Sequence, residues 1–331
     1  ILGRRSYADL ILKQLAPGIS YYFYDINGKF NYQLNENNKL YVSIFSSKDK
    51  AGYVGASSLN YGIDFGNRTA TVRWNHLFGD KIFSNTSLVF NDYHNDLTTQ
   101  QDKYYSQLYS GIQDATLKTD FQWHPNTANN FKFGASYSYR TFLPSTLTSK
   151  IPISGTISTI KPSSIKPHYS NNVAFYLGDE ISLSKKISIY LGARVPYFYD
   201  KDIKYFDIEP RSTLKFSLSP TSSIKASYAK MNQYLHLVQS STASLPTDIW
   251  ISSSDIVKPQ VSQQVAIGWF KNFKDNSIET SIEAYYKTMQ NQVLFKEGAS
   301  LKPSDNIDKS LTFGKGLSYG AEFFIKRSEE H

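Results

Sequence analysis

The sequence predicts an all-β chain, a transmembrane antiparallel β-barrel. Three observations predict it. Strands in which apolar or aromatic residues alternate with polar ones recur from end to end. The connections between them are short, then long, then short again. No apolar run approaches the roughly 20 residues that a membrane helix needs, which excludes helical spans.

Composition agrees with that reading. The chain has 331 residues, of which 40% are hydrophobic, and its mean hydropathy is −0.41. Its 25 Tyr and 21 Phe supply most of the aromatic content, and such side chains fit a pleated, half-buried surface. There is no Cys, which removes thiolate metal sites and Cys nucleophiles and fits an oxidising compartment without disulfides. The net charge is +8. Lys and Arg are scattered singly along the strands rather than gathered in runs, so nucleic acid is not an expected partner. Phosphates of outer-membrane lipid and lipopolysaccharide fit such scattered cations.

Each strand follows from a period of two. Phe131, Phe133, Ala135, Tyr137 and Tyr139 share one face, and Lys132, Ser136, Ser138 and Arg140 share the other. Ala70, Val72 and Trp74 alternate with Thr69, Thr71 and Arg73. The pattern returns at Ile187–Val195, Arg211–Leu218, Ile278–Lys287 and Tyr319–Lys326. It gives about thirteen strands of about 10–16 residues, long enough to cross a membrane when tilted. Short turns are expected at Asn35–Asn38, Gly79-Asp80, Pro125–Asn130, Ser184–Lys186, Ser219–Ser222 and Asn272–Asn276. Long loops are expected at Lys48–Ser58, Tyr93–Lys103, Leu143–His168, Asp200–Lys204, His236–Lys258 and Glu297–Asp308. A spanning barrel sorts its connections in this way, with short periplasmic turns and long extracellular loops. Trp74, Trp123 and Trp269 each lie near a short turn and are expected to form one membrane girdle.

Both ends read as cut. Ile1 and Arg4-Arg5-Ser6-Tyr7 begin in mid-pattern with no signal peptide, and Phe323-Phe324-Ile325-Lys326 is a strand in progress. Residues 1–331 are therefore expected to be a partial β-barrel domain of a longer protein.

Several segments carry a resemblance. They are Arg4-Arg5-Ser6-Tyr7-Ala8-Asp9, Tyr21-Tyr22-Phe23-Tyr24-Asp25, Lys29-Phe30-Asn31-Tyr32, Glu209-Pro210-Arg211-Ser212, Ser227 to His236, Leu245 to Trp250, Lys258-Pro259-Gln260 and Glu283 to Lys287. Together they resemble the barrel of TonB-dependent outer-membrane receptors of the Bacteroidetes type. The resemblance implies a 22-strand barrel in the outer membrane of a Gram-negative bacterium, filled by an N-terminal plug. It implies active import of a scarce nutrient (siderophore, vitamin, oligosaccharide or peptide) driven by the TonB–ExbB–ExbD complex, with a surface lipoprotein as a further partner. The plug, the TonB box and the terminal strands have no counterpart in these residues. A passive porin or adhesion barrel is the alternative.

Catalysis and cofactors are not expected. Asp92, His94 and Asp96 would share a face if a strand ran through them, and such donors suit a divalent metal, but a solvated polar loop is the better reading. Ser-x-x-Lys at Ser182/Lys185, Ser222/Lys225 and Ser227/Lys230 falls in strands and turns, away from the helix start where that motif activates a serine. Asn67 and Asn85 fit a glycosylation pattern by chance, inside predicted strands. For ligand binding the candidates are Tyr104, Tyr105 and Tyr109 beside one long loop, with Gln233, Tyr234, His236 and Trp250 at another. Aromatics beside amides suit sugars, chelates or peptides at a barrel mouth; an outer aromatic girdle is the simpler reading of the tyrosines.

Overall fold

A computed structural model describes residues 1–55, 59–153, 156–160, 166–238, 249–273, 277–297 and 307–327. The first elements are β1 (Leu2–Arg5), α1 (Ala8–Leu15), β2 (Ile19–Asn35), β3 (Asn38–Val54), β4 (Leu59–Leu77), β5 (Ile82–Gln101), β6 (Tyr104–Trp123) and β7 (Asn129–Ile153). Then come β8 (Thr156–Ile160), β9 (His168–Ser182), β10 (Ile187–Tyr199), β11 (Lys204–Phe206), β12 (Glu209–Ser219) and β13 (Ser222–Gln233). The last are β14 (Leu235–Val238), β15 (Ile249–Ser252), β16 (Gln260–Phe273), β17 (Ile278–Phe295) and β18 (Leu311–Arg327).

One antiparallel meander holds the chain together. Its order is β1-β2-β3-β4-β5-β6-β7-β9-β10-β12-β13-β16-β17-β18, with β8 beside β7 and β11 beside β10. Thirteen of these strands run 11 to 25 residues, longer than the sequence period suggests. The excess lies at one end. Where the sequence suggests loops at Lys48–Ser58 and Tyr93–Lys103, the ladders simply continue. β3 pairs β4 as far as Val54↔Asn60, and β5 pairs β6 as far as Gln101↔Tyr104. The chain reverses there through Asp102 with φ +50°, a left-handed conformation that Asp tolerates well. Within Leu143–His168, β7 likewise extends to Ile153 and pairs with β8. Residues 154–155, 161–165, 239–248, 274–276 and 298–306, which fall within the expected loops Leu143–His168, His236–Lys258 and Glu297–Asp308 and the turn Asn272–Asn276, lie outside the described residues. The all-β reading also omits α1, whose buried Asp9 takes a hydrogen bond from Arg5 at 3.1 Å.

The two faces differ as a membrane requires. On the outer face Val72 is 43% exposed and Ile282 49%, with Leu88, Leu117, Leu177, Leu214 and Phe323 also exposed to the surroundings. Phe133 and Ile189 on the same face are half-buried. Among the described residues nothing covers this apolar face, and it suits contact with lipid. On β6 it runs from Trp123 to Ala115 and turns polar at Gln113. Ten residues of strand span about 33 Å, or about 25 Å when tilted, the height of a barrel's apolar band. At the same level the outer face changes from Ile44 to Ser46, from Ala70 to Arg68 and from Phe90 to Asp92.

The opposite face is knit by polar cross-strand pairs. Thr69 donates to Asn91 at 2.9 Å, Arg73 to Ser87 at 3.1 Å and Ser110 to Asn95 at 2.6 Å, and Arg140 pairs with Asp114 at 2.9 Å. Tyr176 lies flat over Gly134 on this face, and its hydroxyl donates to Asp120. A Cβ on Gly134 would collide with both the Tyr176 hydroxyl and the Thr119 carbonyl oxygen.

An apolar core forms at the end of the long connections, here called the mouth. β14 and β15 make a separate hairpin with Leu235↔Ser252 and Val238↔Ile249 in register. Val238, Ile249 and Ile251 bury themselves with Val257, Val293 and Leu311. β14 touches β17, while β15 touches β6 and β7. These partners are widely separated in the strand order, so the hairpin lies across the mouth. His236 is 1% exposed; its Nε2 meets Ser253 Oγ at 2.9 Å, and its Nδ1 has no partner. Burial lowers its pKa to about 4. Outside, the Tyr205 hydroxyl donates to the Ser254 carbonyl at 2.6 Å and Ser254 Oγ donates to Asp308.

Two outcomes follow from this packing. Gly134→Val should destabilise the sheet by about 1–3 kcal/mol in urea titrations, since the added atoms meet backbone that cannot give way. Gly314→Val, where nothing lies within 4 Å, should cost well under half of that. The second concerns pH. An unfolded His236 titrates near its ordinary 6.5 but the folded one only near 4, so between these values the unfolded hairpin binds a proton that the folded one refuses. Hairpin stability should be constant above about pH 6.5 and fall by about 3 kcal/mol on the way to pH 4. Limited proteolysis of the hairpin should accelerate over that window, and His236→Gln should abolish the acceleration.

Candidate functional site

The strongest polar cluster sits on the inner face just below the mouth. Register places Arg194 of β10 opposite Glu209 of β12, and Gly192 opposite Arg211. Period two therefore puts Arg194, Glu209 and Arg211 on the face that carries Tyr190, Thr213 and Lys215. Glu209 is 2% exposed. Arg194 Nη1 donates to both of its oxygens at 3.2 and 3.1 Å, and the Asn232 backbone N–H donates at 3.0 Å. A buried carboxylate survives only with such partners. Arg211 stands farther off, with Nη2 3.8 Å from Glu209 and a buried Nε that has no partner.

A second carboxylate closes the cluster on the β13 side. Asp207 accepts from Lys230 Nζ and from Asn232 Nδ2, both at 2.7 Å. Burial opposes its ionisation, but these hydrogen bonds, with one from the Ile208 N–H, outweigh burial and hold its pKa below the usual carboxylate value. Tyr234 stacks on Phe198 with centroids 5.0 Å apart and planes 2° from parallel. Burial first, then the Glu209 and Asp207 charges, push the Tyr234 hydroxyl pKa up. It stays a neutral donor.

The seven residues singled out for ligand binding do not come together. Tyr234 and His236 are buried in packing, so their rings are spent on Phe198 and Ser253. Trp250 is half-buried in β15 beside them. Gln233 is exposed, and its side-chain amide donates to the Leu235 carbonyl. Tyr104 is exposed at the far tip of the β5–β6 hairpin. Tyr105 pairs with Gln100 and Tyr109 with Asp96, which puts both on the outer face. Tyr105 lies under Lys150 at 5.4 Å and Tyr109 stacks on His94 at 6.2 Å.

Asp92, His94 and Asp96 do share a strand face, but they are held apart by other bonds. Asp92 accepts from Gln113, Asp96 accepts from Gln107, and His94 Nδ1 stays 3.8 Å from Asp92. Among the described residues no three His, Asp or Glu form a metal-binding group. Ser222/Lys225 and Ser227/Lys230 lie in β13, where residues three apart point to opposite faces. Neither pair can act as a catalytic dyad. Nothing local in the sequence marks Arg194, Glu209 and Arg211 as a cluster. Glu209-Pro210-Arg211 stood out only as a family likeness; a Glu and an Arg two apart on a predicted strand share a face, and that was the available signal.

This architecture has relatives. A family model described as "TonB dependent receptor-like, beta-barrel" matches residues 10–327. No curated protein matches by sequence. Among solved structures, the ferripyoverdine receptor of the Pseudomonas aeruginosa outer membrane, bound to ferripyoverdine, is 14% identical with a TM-score of 0.67; the match covers 95% of this chain and 48% of that one. Fiu, the ferric-catecholate import receptor of Escherichia coli K12, is 12% identical with a TM-score of 0.64, covering 93% and 56%. The copper transporter OprC is 11% identical with a TM-score of 0.67, covering 94% and 51%. At these identities the likeness is one of fold, and the chain spans about half the length of each structure. With thirteen long strands in its antiparallel meander, a lipid-seeking outer face and a family match over nearly its whole length, the chain belongs to the TonB-dependent receptor β-barrel family.

Proposed function

We propose that this chain is part of the barrel of an outer-membrane importer for a scarce nutrient, powered through a plug domain by the TonB–ExbB–ExbD complex. One observation carries the reading. A single row of the inner face runs Lys215, Lys225, Gly268, Glu283, Glu322 across five neighbouring strands. Lysine faces lysine, and then glutamate faces glutamate. Like charges directly opposed on a sheet are unfavourable, and none of the four forms an ion pair with a described residue. Such a row suits a lumen whose occupant presents acidic groups to one half and basic groups to the other. A plug domain fits that description, whereas a passive pore gains nothing from it.

The cargo stays a class, which could be siderophore, vitamin, oligosaccharide or peptide. Motif resemblance at Glu209–Ser212 and Ser227–His236 supports the Bacteroidetes type, and with it a surface lipoprotein as partner. Tyr104, Tyr105, Tyr109 and Gln233 remain accessible enough for contacts with cargo or partner. Tyr234, His236 and Trp250 would act only by shaping the mouth. The polar outer face around Arg68 lies at the height of lipopolysaccharide phosphates.

Trp74, Trp123 and Trp269 are assigned to the periplasmic girdle. Trp74 Nε1 donates to Asn38 and Trp269 Nε1 to Ser222, both beside short turns, at 2.9 and 3.0 Å. Trp123 stacks on Phe131 at 5.4 Å.

Liposomes carrying the whole protein should not swell in isotonic arabinose, because the lumen is filled, and the purified protein should retain the C-terminal domain of TonB. Rapid swelling without TonB binding would identify a passive pore instead. Variants that keep a single tryptophan should report the girdle. Trp74, Trp123 and Trp269 should each be quenched most by lipids brominated near the headgroup. Strongest quenching from bromines at the acyl-chain ends would remove the girdle assignment.

A further inference from the structure

We infer that Arg194 and Arg211 form a binding site for a small multivalent anion, bearing carboxylates or phosphates, on the inner wall below the mouth. This rests on the importer reading and names the chemical class of its cargo.

The charge balance at this site is incomplete. Glu209 neutralises one guanidinium, and its oxygens are taken up by Arg194 and the Asn232 N–H. Asp207 is spent on Lys230 and Asn232. That leaves one cation in excess at Arg211. A guanidinium carries five N–H donors in a planar fork. The Arg211 fork has only a 3.8 Å approach to Glu209, and its buried Nε has no acceptor. Burying a donor without an acceptor is costly, and an incoming oxyanion removes that cost with the bidentate geometry arginine favours.

The inner row that carries Arg211 leads to a neighbouring cavity, which neither arginine lines. Arg211, Ala229, Gln264 and Lys287 occupy one inner row on β12, β13, β16 and β17. Gln264 and Lys287 line a cavity of about 370 Å³ together with Tyr285 and Ser318. That volume lies within the range of small-ligand sites. Lys215 and Lys225 continue the positive wall toward the short turns, while Glu283 and Glu322 carry the opposite sign at the cavity's lower rim. A ligand entering from the mouth meets the arginines before it meets any unpaired carboxylate of this wall. The same cations could instead hold an acidic surface of the lumen-filling domain. The height of Arg194 and Arg211, above the opposed lysines and glutamates, favours the mobile ligand.

Isothermal titration of the whole purified receptor with citrate and with inorganic tripolyphosphate decides the matter. Saturable binding is expected, weakening as salt rises, with no binding of neutral maltotriose. Arg211→Gln should weaken it about tenfold, equivalent to one charge-assisted hydrogen bond, and Arg211→Lys should recover part of the loss. Arg194 is left intact, because its removal would strand Glu209 as a buried charge. Unchanged affinity in Arg211→Gln would overturn the assignment. So would a wild type that ignores both anions while Arg211→Gln lowers its melting temperature, since the arginine would then be spent on an acidic lumen domain. Either failure would leave a receptor that stays shut in liposomes and retains TonB, so the importer reading would survive.

Discussion

Every backbone amide inside a bilayer must find its partner within the protein, because lipid offers none. The hydrogen-bond ladder that runs from β1 to β18 answers that demand except at its two edges and at four register shifts, and the other features derive from it. A ladder of strands alternates its side chains, so one face can be apolar and the other polar without any change of backbone. Val72, Leu88 and Leu117 can meet lipid because Arg73, Ser87 and Lys118, their immediate neighbours, turn the other way. The requirement ends at the headgroups, but the ladder does not. β5, β6 and β7 carry it well past the level of Asp92 and Gln113, where only the outer side chains change character. The membrane boundary is therefore written in composition, while the backbone shows no break at it.

The polar face has two electrostatic regimes. Near the mouth, Glu209 is buried and fully coordinated, which fixes β10, β12 and β13 to one another. Lower down, Lys215, Lys225, Glu283 and Glu322 are exposed and opposed to their own kind. In the first regime Glu209 and Asp207 are satisfied and Arg211 alone is left short of acceptors. The second makes sense only against an external complement.

How much of this was legible in the sequence depends on what kind of force sets each feature. Strand number, alternation and the sorting of short turns were readable, because period two and turn residues are local signals. Strand length at the mouth was not. Tyr93–Lys103 is polar apart from Leu97, and such a stretch reads as a loop unless its partner strand is known. For the same reason the sequence could not say which face Tyr105 and Tyr109 take; pairing with Gln100 and Asp96 puts both on the outer one. Tyr234 and His236 were picked as polar aromatics near a loop, yet Tyr234 packs on Phe198 from β10 and His236 meets Ser253 across a separate hairpin, contacts that no local pattern announces. The Arg194–Glu209 pair was hidden for a related reason. Fifteen residues and a reversal separate the two, and only the register of β10 against β12 makes them neighbours.

The mouth hairpin shows what such non-local contacts achieve. A sheet whose apolar side faces lipid has no interior of its own, so the greasy residues of a long connection have nowhere to go unless they fold among themselves. Val238, Ile249, Ile251 and Val257 do so, and they recruit Val293 and Leu311 from β17 and β18. Burial of those two strand residues ties the hairpin to the wall, and the Tyr205–Ser254–Asp308 bonds tie it from the other side. The segment across the mouth is thus a folded element with its own core, and the arginines beneath it sit in a partly roofed chamber.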